Sequence, residues 1–225
     1  MNKFRYTLLL APLLTGCDSA TIKEAPAVYF AEPFPADAPD LATFPAAQQG
    51  TYHLAGDTTQ QLLIGQSVVW RRKVEVRTVS RADYESDSIL SKLEPGNRVL
   101  VEGFTYRPLQ IKADTVRLEL SRADTLFSLH WPGKSRLRYW LGSYYLNMPE
   151  AAGWRVRRLL LDGPRVRWQA PSPDQLRLAQ LPASLVHQTR LKGGDQWELR
   201  PASLPQARQV ALAPDLWVGT DVHER

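Results

Sequence analysis

The sequence predicts a mainly β fold built from antiparallel sheets. Alternating apolar and polar residues recur along most of the chain after Gly50, turn residues separate these runs, and the clear helix signals lie in the last third. A period of two is typical of strands with one buried face, whereas a helix repeats every three to four residues. We therefore expect a sandwich or a partly open barrel with a short C-terminal helix.

The first predicted β unit covers residues 50–130. Its strands are aliphatic and β-branched runs bounded by turn residues. They are expected at residues 50–54, 62–64, 68–79, 98–106, 115–120 and 125–129. The segment 83–93 between them is predicted to be a loop or a short helix.

The second predicted unit, residues 131–225, resembles the first and indicates an internal duplication. Residues 142–146 (GSYYL) are similar to the GTYHL run that begins at Gly50, and residues 159–168 (LLLDGPRVRW) are similar to residues 62–70 (LLIGQSVVW) with one insertion. Each copy is predicted to form a strand followed by a hairpin, with a tryptophan at the end of the return strand. Two such units would bury faces that neither buries alone. A chance match of loose strand patterns is the alternative.

Two short helices are predicted near the C terminus. Residues 172–174 (SPD) combine an N-cap serine with a proline at the first helical position, so a helix is expected from here to Leu181. Residues 203–205 (SLP) open a final helix that continues through Leu212 and ends before Pro214.

The N terminus has the features of an export leader. Lys3 and Arg5 precede an apolar run, residues 6–14, that is shorter than the roughly 20 residues needed to span a bilayer. Small residues then precede Cys17, the only cysteine of the chain. This arrangement is typical of a secretory signal peptide. Residues 14–17 (LTGC) also resemble the lipobox of bacterial lipoproteins.

The lipobox resemblance implies a lipid anchor. In such proteins the leader is cleaved before the cysteine, so residues 1–16 would be the signal peptide and Cys17 the lipidated first residue. An ordinary signal peptide that contains a cysteine is the alternative. Two or more acyl chains hold a protein firmly to a membrane, whereas one binds reversibly. The mature chain would have no second cysteine and therefore no internal disulfide.

Residues 17–49 are predicted to form the lipidated cysteine and a proline-rich tether. Proline resists both helices and strand ladders and favours extended chain. The prolines are Pro26, Pro33, Pro35, Pro39 and Pro45. At ~3.1 Å per residue, residues 18–45 would reach on the order of 85 Å. The aromatic residues Tyr29, Phe30 and Phe34 allow part of this spacer to dock on the body.

Several short motifs resemble uncharacterised envelope lipoproteins of the Bacteroidota. Besides the lipobox and the spacer, they are Gly-x-Tyr at residues 50–52, DTLFSL at residues 124–129, YYLN at residues 144–147, and Trp154-x-Val156 before a leucine-rich strand. These motifs are structural, so no catalytic or binding residue is carried over. The resemblance implies a lipid-anchored protein of the cell envelope, at the periplasmic face or in the outer membrane.

No motif of common catalysis is present in the sequence. It lacks a Gly-x-Ser-x-Gly elbow, a His-Glu-x-x-His pair, a phosphate-binding glycine loop and Cys-x-x-Cys. The histidines His53, His130, His187 and His223 have no metal-ligand spacing, and no cofactor is predicted. An extracytoplasmic hydrolase or glycan-processing enzyme of unrecognised type is the alternative function. It would need His53 or His130 to meet a carboxylate such as Asp124 in a cleft.

One acidic segment resembles a metal site in its spacing. Asp83, Glu85 and Asp87 alternate, so on an extended chain they would point the same way. Ca²⁺ takes six to eight oxygen ligands, but the glycine and glutamate spacing of an EF-hand is missing. A solvated acidic loop is the preferred interpretation, and no metal site is predicted.

The sharpest site candidate is basic. Arg155 and Arg157 alternate on one predicted strand, and Arg165 and Arg167 alternate on its hairpin partner. Regular alternation would place all four on one face, with the apolar residues between them on the other. A bulge at the Arg157-Arg158 doublet would change this register.

Facing arginines repel each other unless an anion lies between them. Other basic residues are near in sequence or in the first copy: Lys134, Arg136, Arg138 and residues 71–73. We therefore expect a non-enzymatic binding or assembly module for a phosphorylated glycolipid, an acidic glycan or an acidic protein surface. A solvated face paired with the chain's own acids is the alternative. Loss of Lys3 and Arg5 would lower the formal charge of +5 by two, and nucleic acid is not an expected partner in the envelope.

Overall fold

The computed structural model describes residues 27–191, 194–219 and 222–225. The strands are β1 (Ala27–Phe30), β2 (Asp40–Leu41), β3 (Gly50–Leu54), β4 (Asp57–Ile64), β5 (Val68–Ser80), β6 (Val99–Val101), β7 (Phe104–Ile111), β8 (Thr115–Ser128), β9 (Arg136–Trp140), β10 (Ser143–Glu150), β11 (Gly153–Asp162), β12 (Arg165–Pro171), β13 (Val186–Leu191), β14 (Gly194–Leu199), β15 (Trp217–Val218) and β16 (Val222–Glu224). The helices are α1 (Arg81–Ser86), α2 (Gln175–Leu178) and α3 (Leu204–Leu212), and 3₁₀ turns lie at Ala46–Gln48, Leu90–Lys92 and Ala183–Leu185.

The described strands form one open sheet. Its main path is β13-β14-β1-β11-β12-β16-β3-β4-β5-β8-β7-β6, and β10 joins it by pairing with β11 and β9. Within the described ranges, β1 and β14 are the parallel pair and the other pairs are antiparallel. The predicted mainly antiparallel β class is confirmed, and the sheet is consistent with a sandwich or a partly open barrel.

β11 shows why this sheet has two buried faces. Val156 and Leu159 are both fully buried but stand three residues apart, so they point to opposite faces. Val156 packs in a core covered by the helices, which we call the helix-side core. Leu159 packs in a second core formed by the strand meanders, which we call the meander-side core.

The two predicted β units share the meander-side core. Tyr52, Leu62 and Phe127 from residues 50–130 pack there with Tyr144 and Leu146 from residues 131–225. The sheet also continues across the two halves, because β16 pairs with both β12 and β3. The predicted boundary at residues 130 and 131 therefore separates two halves of one sheet.

The predicted repeat corresponds to two similar meanders. The strands β3, β4 and β5 form an antiparallel meander, and β10, β11 and β12 form another. This arrangement agrees with the order of strands in the two similar sequence segments. The duplication itself stays a prediction.

The predicted tether is part of the fold from Ala27 onward. β1 lies between β11 and β14, and the side chains of Phe30, Phe34 and Phe44 are at most 1% exposed. Asn147 also bonds the backbone of Phe34 in both directions, as its Oδ1 accepts from the N–H at 2.6 Å and its Nδ2 donates to the C=O at 2.9 Å. Composition predicted a spacer through Pro45, but the aromatic residues among the prolines supply enough apolar surface to dock this segment.

The helix predictions are confirmed in part. α3 begins after Ser203, carries proline in its first turn and ends at Leu212 as expected. The helix expected over residues 172–181 is limited to α2, because Asp174 rather than Ser172 caps it by accepting from the Leu176 N–H. No helix in the described part of the chain is long and apolar enough to cross a membrane.

β5 and β8 extend beyond the meanders as a long arm with β7 and β6. The two alternating segments expected at residues 115–120 and 125–129 form one continuous strand, because no glycine or proline interrupts them. At the far end of the arm, α1 covers one face and buries Tyr84 against Val116 and Leu118.

Candidate functional site

The four predicted arginines lie on two faces of the β11–β12 hairpin, so the expectation of one shared face is wrong. Leu159 pairs with Trp168, and Asp162 pairs with Arg165. Directly paired residues share a face, so Arg155 and Arg157 lie with Leu159 and Trp168, and Arg165 and Arg167 lie on the opposite face. The turn between the strands, rather than a bulge at Arg157-Arg158, sets this offset.

Arg155 and Arg157 line a cleft of about 570 Å³, which we call the Arg157 cleft. β5, β8, β10, β11, β12 and the loop before β9 all contribute to it, because it lies where the two meanders meet. Its lining is Arg71, Thr125, Leu126, Trp131, Pro132, Ser135, Met148, Pro149, Glu150, Arg155, Arg157 and Trp168. Pockets of this size with aromatic walls and a few convergent polar groups are typical of small-ligand sites.

The charges in this cleft are unevenly satisfied. Arg155 is held by Glu150 through two contacts of 2.8 Å, one to each carboxylate oxygen. Among the described residues, Arg157 has neither an ion pair nor a hydrogen bond through its guanidinium. Burial lowers the pKa of Arg157, the nearby charge of Arg155 lowers it further, and Glu150 opposes this effect. The group still remains charged at neutral pH, because arginine ordinarily titrates far above that range.

Ser135 adds an unsatisfied hydroxyl at the wall of the same cleft. Its side chain is 7% exposed, and its buried Oγ has no hydrogen-bond partner in the described part of the chain. Buried polar groups are nearly always paired, so such an atom calls for an explanation. A hydroxyl and a guanidinium that have no hydrogen-bond partner among the described residues therefore line one cleft.

Arg158, the next residue, is satisfied on the opposite face. Its Nε donates to Gln169 at 2.8 Å, its Nη1 donates to the Ala211 C=O at 2.8 Å, and its guanidinium lies 4.8 Å from the Trp217 ring centroid. Burial lowers the pKa of Arg158, and Tyr145 opposes the shift. Arg158 thus joins α3 to the sheet, and its role is structural.

The other basic residues named from the sequence also differ in their surroundings, because some pair with carboxylates and one lines the cleft. Arg138 is buried and donates to Asp40 at 2.7 Å and to the backbone carbonyls of residues 33, 35 and 36. Arg136 pairs with Asp40 at 3.4 Å, and Arg72 pairs with Glu119 at 3.2 Å. Of residues 71–73, Arg71 is the one that lines the Arg157 cleft.

Arg165 and Arg167 are exposed on the far face. Arg165 pairs with Glu224 at 2.8 Å across the β12–β16 ladder. Exposed pairs of this kind contribute little to stability. Neither arginine lines the cleft that holds Arg155 and Arg157, so the predicted set does not form one site.

The structure places the histidines outside the clefts that it describes. His130 Nε2 lies 3.0 Å from Ser67 Oγ in an exposed contact, whereas Asp124 pairs with Arg122 at 3.2 Å. His53 stands opposite Glu224 in the β3–β16 ladder, and Glu224 already pairs with Arg165. The convergence of His53 or His130 with Asp124 that the alternative function required is not found.

The acidic segment is used locally. Asp83 contacts Ser80 at the start of α1, Glu85 pairs with Arg81 at 2.6 Å, and Asp87 accepts from backbone N–H groups. No group of three or more metal-ligating side chains is found in the described ranges. The alternation of these acids is lost because the segment is helical.

Sequence reasoning missed Trp131, Ser135 and Glu150 as parts of the cleft. Trp131 and Ser135 lie in the loop before β9, and no local pattern connects them to the arginine hairpin. Glu150 lies only five residues before Arg155, so an acid close in sequence to the predicted arginines was the available signal. The sequence does offer a signal for Arg71. It follows Trp70, which ends the segment that is similar to the one ending at Trp168. Cys17, the predicted lipidation site, lies outside the described residues.

Comparison with protein-family models, curated proteins and solved structures found no match to the chain.

Proposed function

We propose that this protein is a lipid-anchored envelope lipoprotein whose β body binds an anionic envelope component in the Arg157 cleft. In this proposal it acts as a binding or assembly module rather than as an enzyme. The observation that carries the proposal is the half-buried Arg157 guanidinium, which has no paired carboxylate in the described part of the chain.

In the unbound protein, holding the Arg157 guanidinium partly out of water is unfavourable. Desolvating a cation costs free energy unless a paired anion or good hydrogen bonds offset that cost. Arg158 donates such bonds to Gln169 and to the Ala211 carbonyl, whereas Arg157 makes none to the described residues. Sites that hold destabilising charge are commonly functional, since the ligand supplies the missing interaction. A phosphate or carboxylate group would supply it for Arg157.

The shape of the cleft favours a small acidic group over a flat protein surface. Trp131 and Trp168 provide apolar walls, and Arg155 and Arg71 lie beside Arg157. Guanidinium groups match carboxylates and phosphates in planar, bidentate geometry. An acidic sugar and a phosphorylated glycolipid headgroup both present such an anion on a partly apolar ring.

The test compares Arg157→Met with Arg167→Met in the mature protein held in detergent micelles. Digalacturonate and inorganic phosphate serve as probes in titration calorimetry. We expect Arg157→Met to weaken binding of the preferred probe at least about tenfold, because charge-assisted contacts in desolvated sites are strong. Arg167→Met removes an arginine from the opposite face and should leave affinity unchanged.

The same pair of variants reports on stability. Methionine is uncharged and fills similar space, so the free energy of unfolding of Arg157→Met should be unchanged or higher in the absence of ligand. Equal binding by wild type and Arg157→Met, or no binding of either anion by wild type, would refute the proposed function.

An extracytoplasmic hydrolase remains the second candidate. Its one supporting observation is the 3.0 Å contact between Ser67 Oγ and His130 Nε2, which is the distance expected for a nucleophile and its base. Among the described residues no carboxylate bonds to His130, and the contact is exposed. The cleft therefore supports binding better than this pair supports catalysis.

A further inference from the structure

A second cleft of about 580 Å³ lies on the arm, and we call it the arm cleft. β5, β7 and β8 line it with alternate residues of one face. These are Lys73, Glu75, Arg77, Phe104, Tyr106, Leu120, Arg122 and Asp124. On β5 and β8, Lys73 pairs with Arg122 and Glu75 pairs with Leu120. On β7, Tyr106 also pairs with Leu120, so the lining side chains of the three strands share one face of the sheet.

The arm cleft continues directly into the Arg157 cleft. Arg71 lines the Arg157 cleft and pairs in register with Asp124, which lines the arm cleft. Lys73 follows Arg71 on the same face of β5, at roughly 7 Å for two residues of a strand. The two clefts are therefore consecutive parts of one groove.

We propose that this groove binds an extended acidic polysaccharide, with the Arg157 cleft holding one acidic sugar and the arm cleft holding sugars further along the chain. The inference rests on the proposed function of the Arg157 cleft. It adds the arm as a second binding region and commits to a polymer rather than to an isolated headgroup.

The pattern of charge in the groove fits a polymer that carries both carboxylates and hydroxyl groups. Three carboxylates lie along it, and each is held by an arginine: Glu75 by Arg77 at 2.7 Å, Asp124 by Arg122 at 3.2 Å, and Glu150 by Arg155 at 2.8 Å. These carboxylates can accept hydrogen bonds from sugar hydroxyls. A polyphosphate has no hydroxyl to donate to these carboxylates, so we expect it to bind less tightly than a polyuronate.

Two cations in the groove have no ion pair within the described residues. One is Arg157, and the other is the exposed Lys73 in the arm cleft. They lie in different clefts, so one carboxylate of a polyuronate could contact each. Along the groove, the charged side chains also include arginine–carboxylate pairs, so the surface is not continuously positive.

The groove also has apolar contact surface and a closed end. Phe104 is 38% exposed and lies with Tyr106 and Leu120 in the arm cleft, as Trp131 and Trp168 lie in the Arg157 cleft. Aromatic faces bury large area with specific geometry, which suits the apolar faces of sugar rings. Beyond Arg77, α1 covers the same face, so β5 offers about 20 Å of groove from Arg71.

The experiment measures how affinity depends on ligand length. Digalacturonate and octagalacturonate are titrated into wild type, Lys73→Glu and Arg157→Met. When one end of a ligand is bound in the first cleft, the other end is held at a high effective concentration near the second cleft, so the overall affinity rises. We expect the octamer to bind wild type at least tenfold more tightly than the dimer. Lys73→Glu should remove this gain and leave dimer affinity unchanged, whereas Arg157→Met should weaken both ligands.

Lys112→Glu is the matched control, because Lys112 is an exposed lysine of the arm that does not line either cleft. It should retain the full length dependence. Equal affinity of dimer and octamer, or loss of the gain in Lys112→Glu as well, would overturn the extended groove and leave the proposed function standing. Tighter binding of polyphosphate than of octagalacturonate would overturn the polysaccharide assignment. Failure of wild type to bind either the dimer or inorganic phosphate would instead count against the proposed function, and binding of phosphate without the dimer would overturn the polysaccharide assignment.

Discussion

Adjacent residues of β11 have opposite roles because a strand turns alternate side chains to opposite faces. Arg158 enters the helix-side core, where Gln169 and the Ala211 carbonyl satisfy it. Arg157 enters the Arg157 cleft, where the described residues supply no such partner. The same charge is thus structural at one position and available to a ligand at the next.

Asn147 is the residue whose loss should destabilise the protein most clearly. It is fully buried and bonds both the N–H and the C=O of Phe34. Asn147→Ala leaves two buried backbone groups unpaired, so we expect the free energy of unfolding to fall by about 3 kcal/mol. Urea denaturation measures this change. Asn97→Ala, at an exposed position, should shift it by less than about 0.5 kcal/mol. Similar small shifts for both variants would contradict this role.

At the scale of elements, β1 depends on a close backbone approach by the start of β11. Gly153 has φ +128°, and a Cβ there would stand 2.7 Å from the Phe30 carbonyl oxygen. No side chain fits this junction without moving β1 away from β11. The glycine therefore allows a segment distant in sequence to enter the sheet.

Gly153→Ala should loosen β1 selectively. We expect a loss of about 2–3 kcal/mol of stability from the clash and the strained backbone. Amide hydrogen exchange should become faster in residues 27–30. Gly163→Ala is the control, because Gly163 also has positive φ but a Cβ would meet nothing within 4 Å. It should cost about 1 kcal/mol and leave exchange in β1 unchanged. Unchanged exchange in Gly153→Ala would contradict the junction.

At the scale of the whole molecule, docking of β1 shortens the segment that could act as a tether. Nine residues, 18–26, separate Cys17 from the first described strand. Fully extended, they reach at most about 30 Å. If Cys17 carries the lipid, as proposed, the body is held much closer to the bilayer than the ~85 Å that a spacer through Pro45 would allow.

Cys17→Ser tests the anchor without disturbing the body. We expect the variant to leave the membrane fraction, because the lipid-bearing thiol is gone, and to keep the wild-type far-ultraviolet circular dichroism spectrum. Wild type should partition into detergent on phase separation, and the variant should remain in the aqueous phase. Retention of Cys17→Ser in the membrane fraction would refute lipid anchoring at this position.

Periodicity and capping depend on near neighbours, so they were enough to predict the β class and the C-terminal helix. Local charge was enough to select Arg155 and Arg157 as candidates. Other features depend on which distant residues meet in the fold. The hairpin register separated Arg165 and Arg167 from the cleft, since the length of a turn determines which residues pair across it. Burial of Phe30 and Phe34 turned most of a proline-rich spacer into part of the core. The cleft itself lies where two meanders meet, so its aromatic walls and the surroundings of Arg157 depend on contacts between residues far apart in the chain.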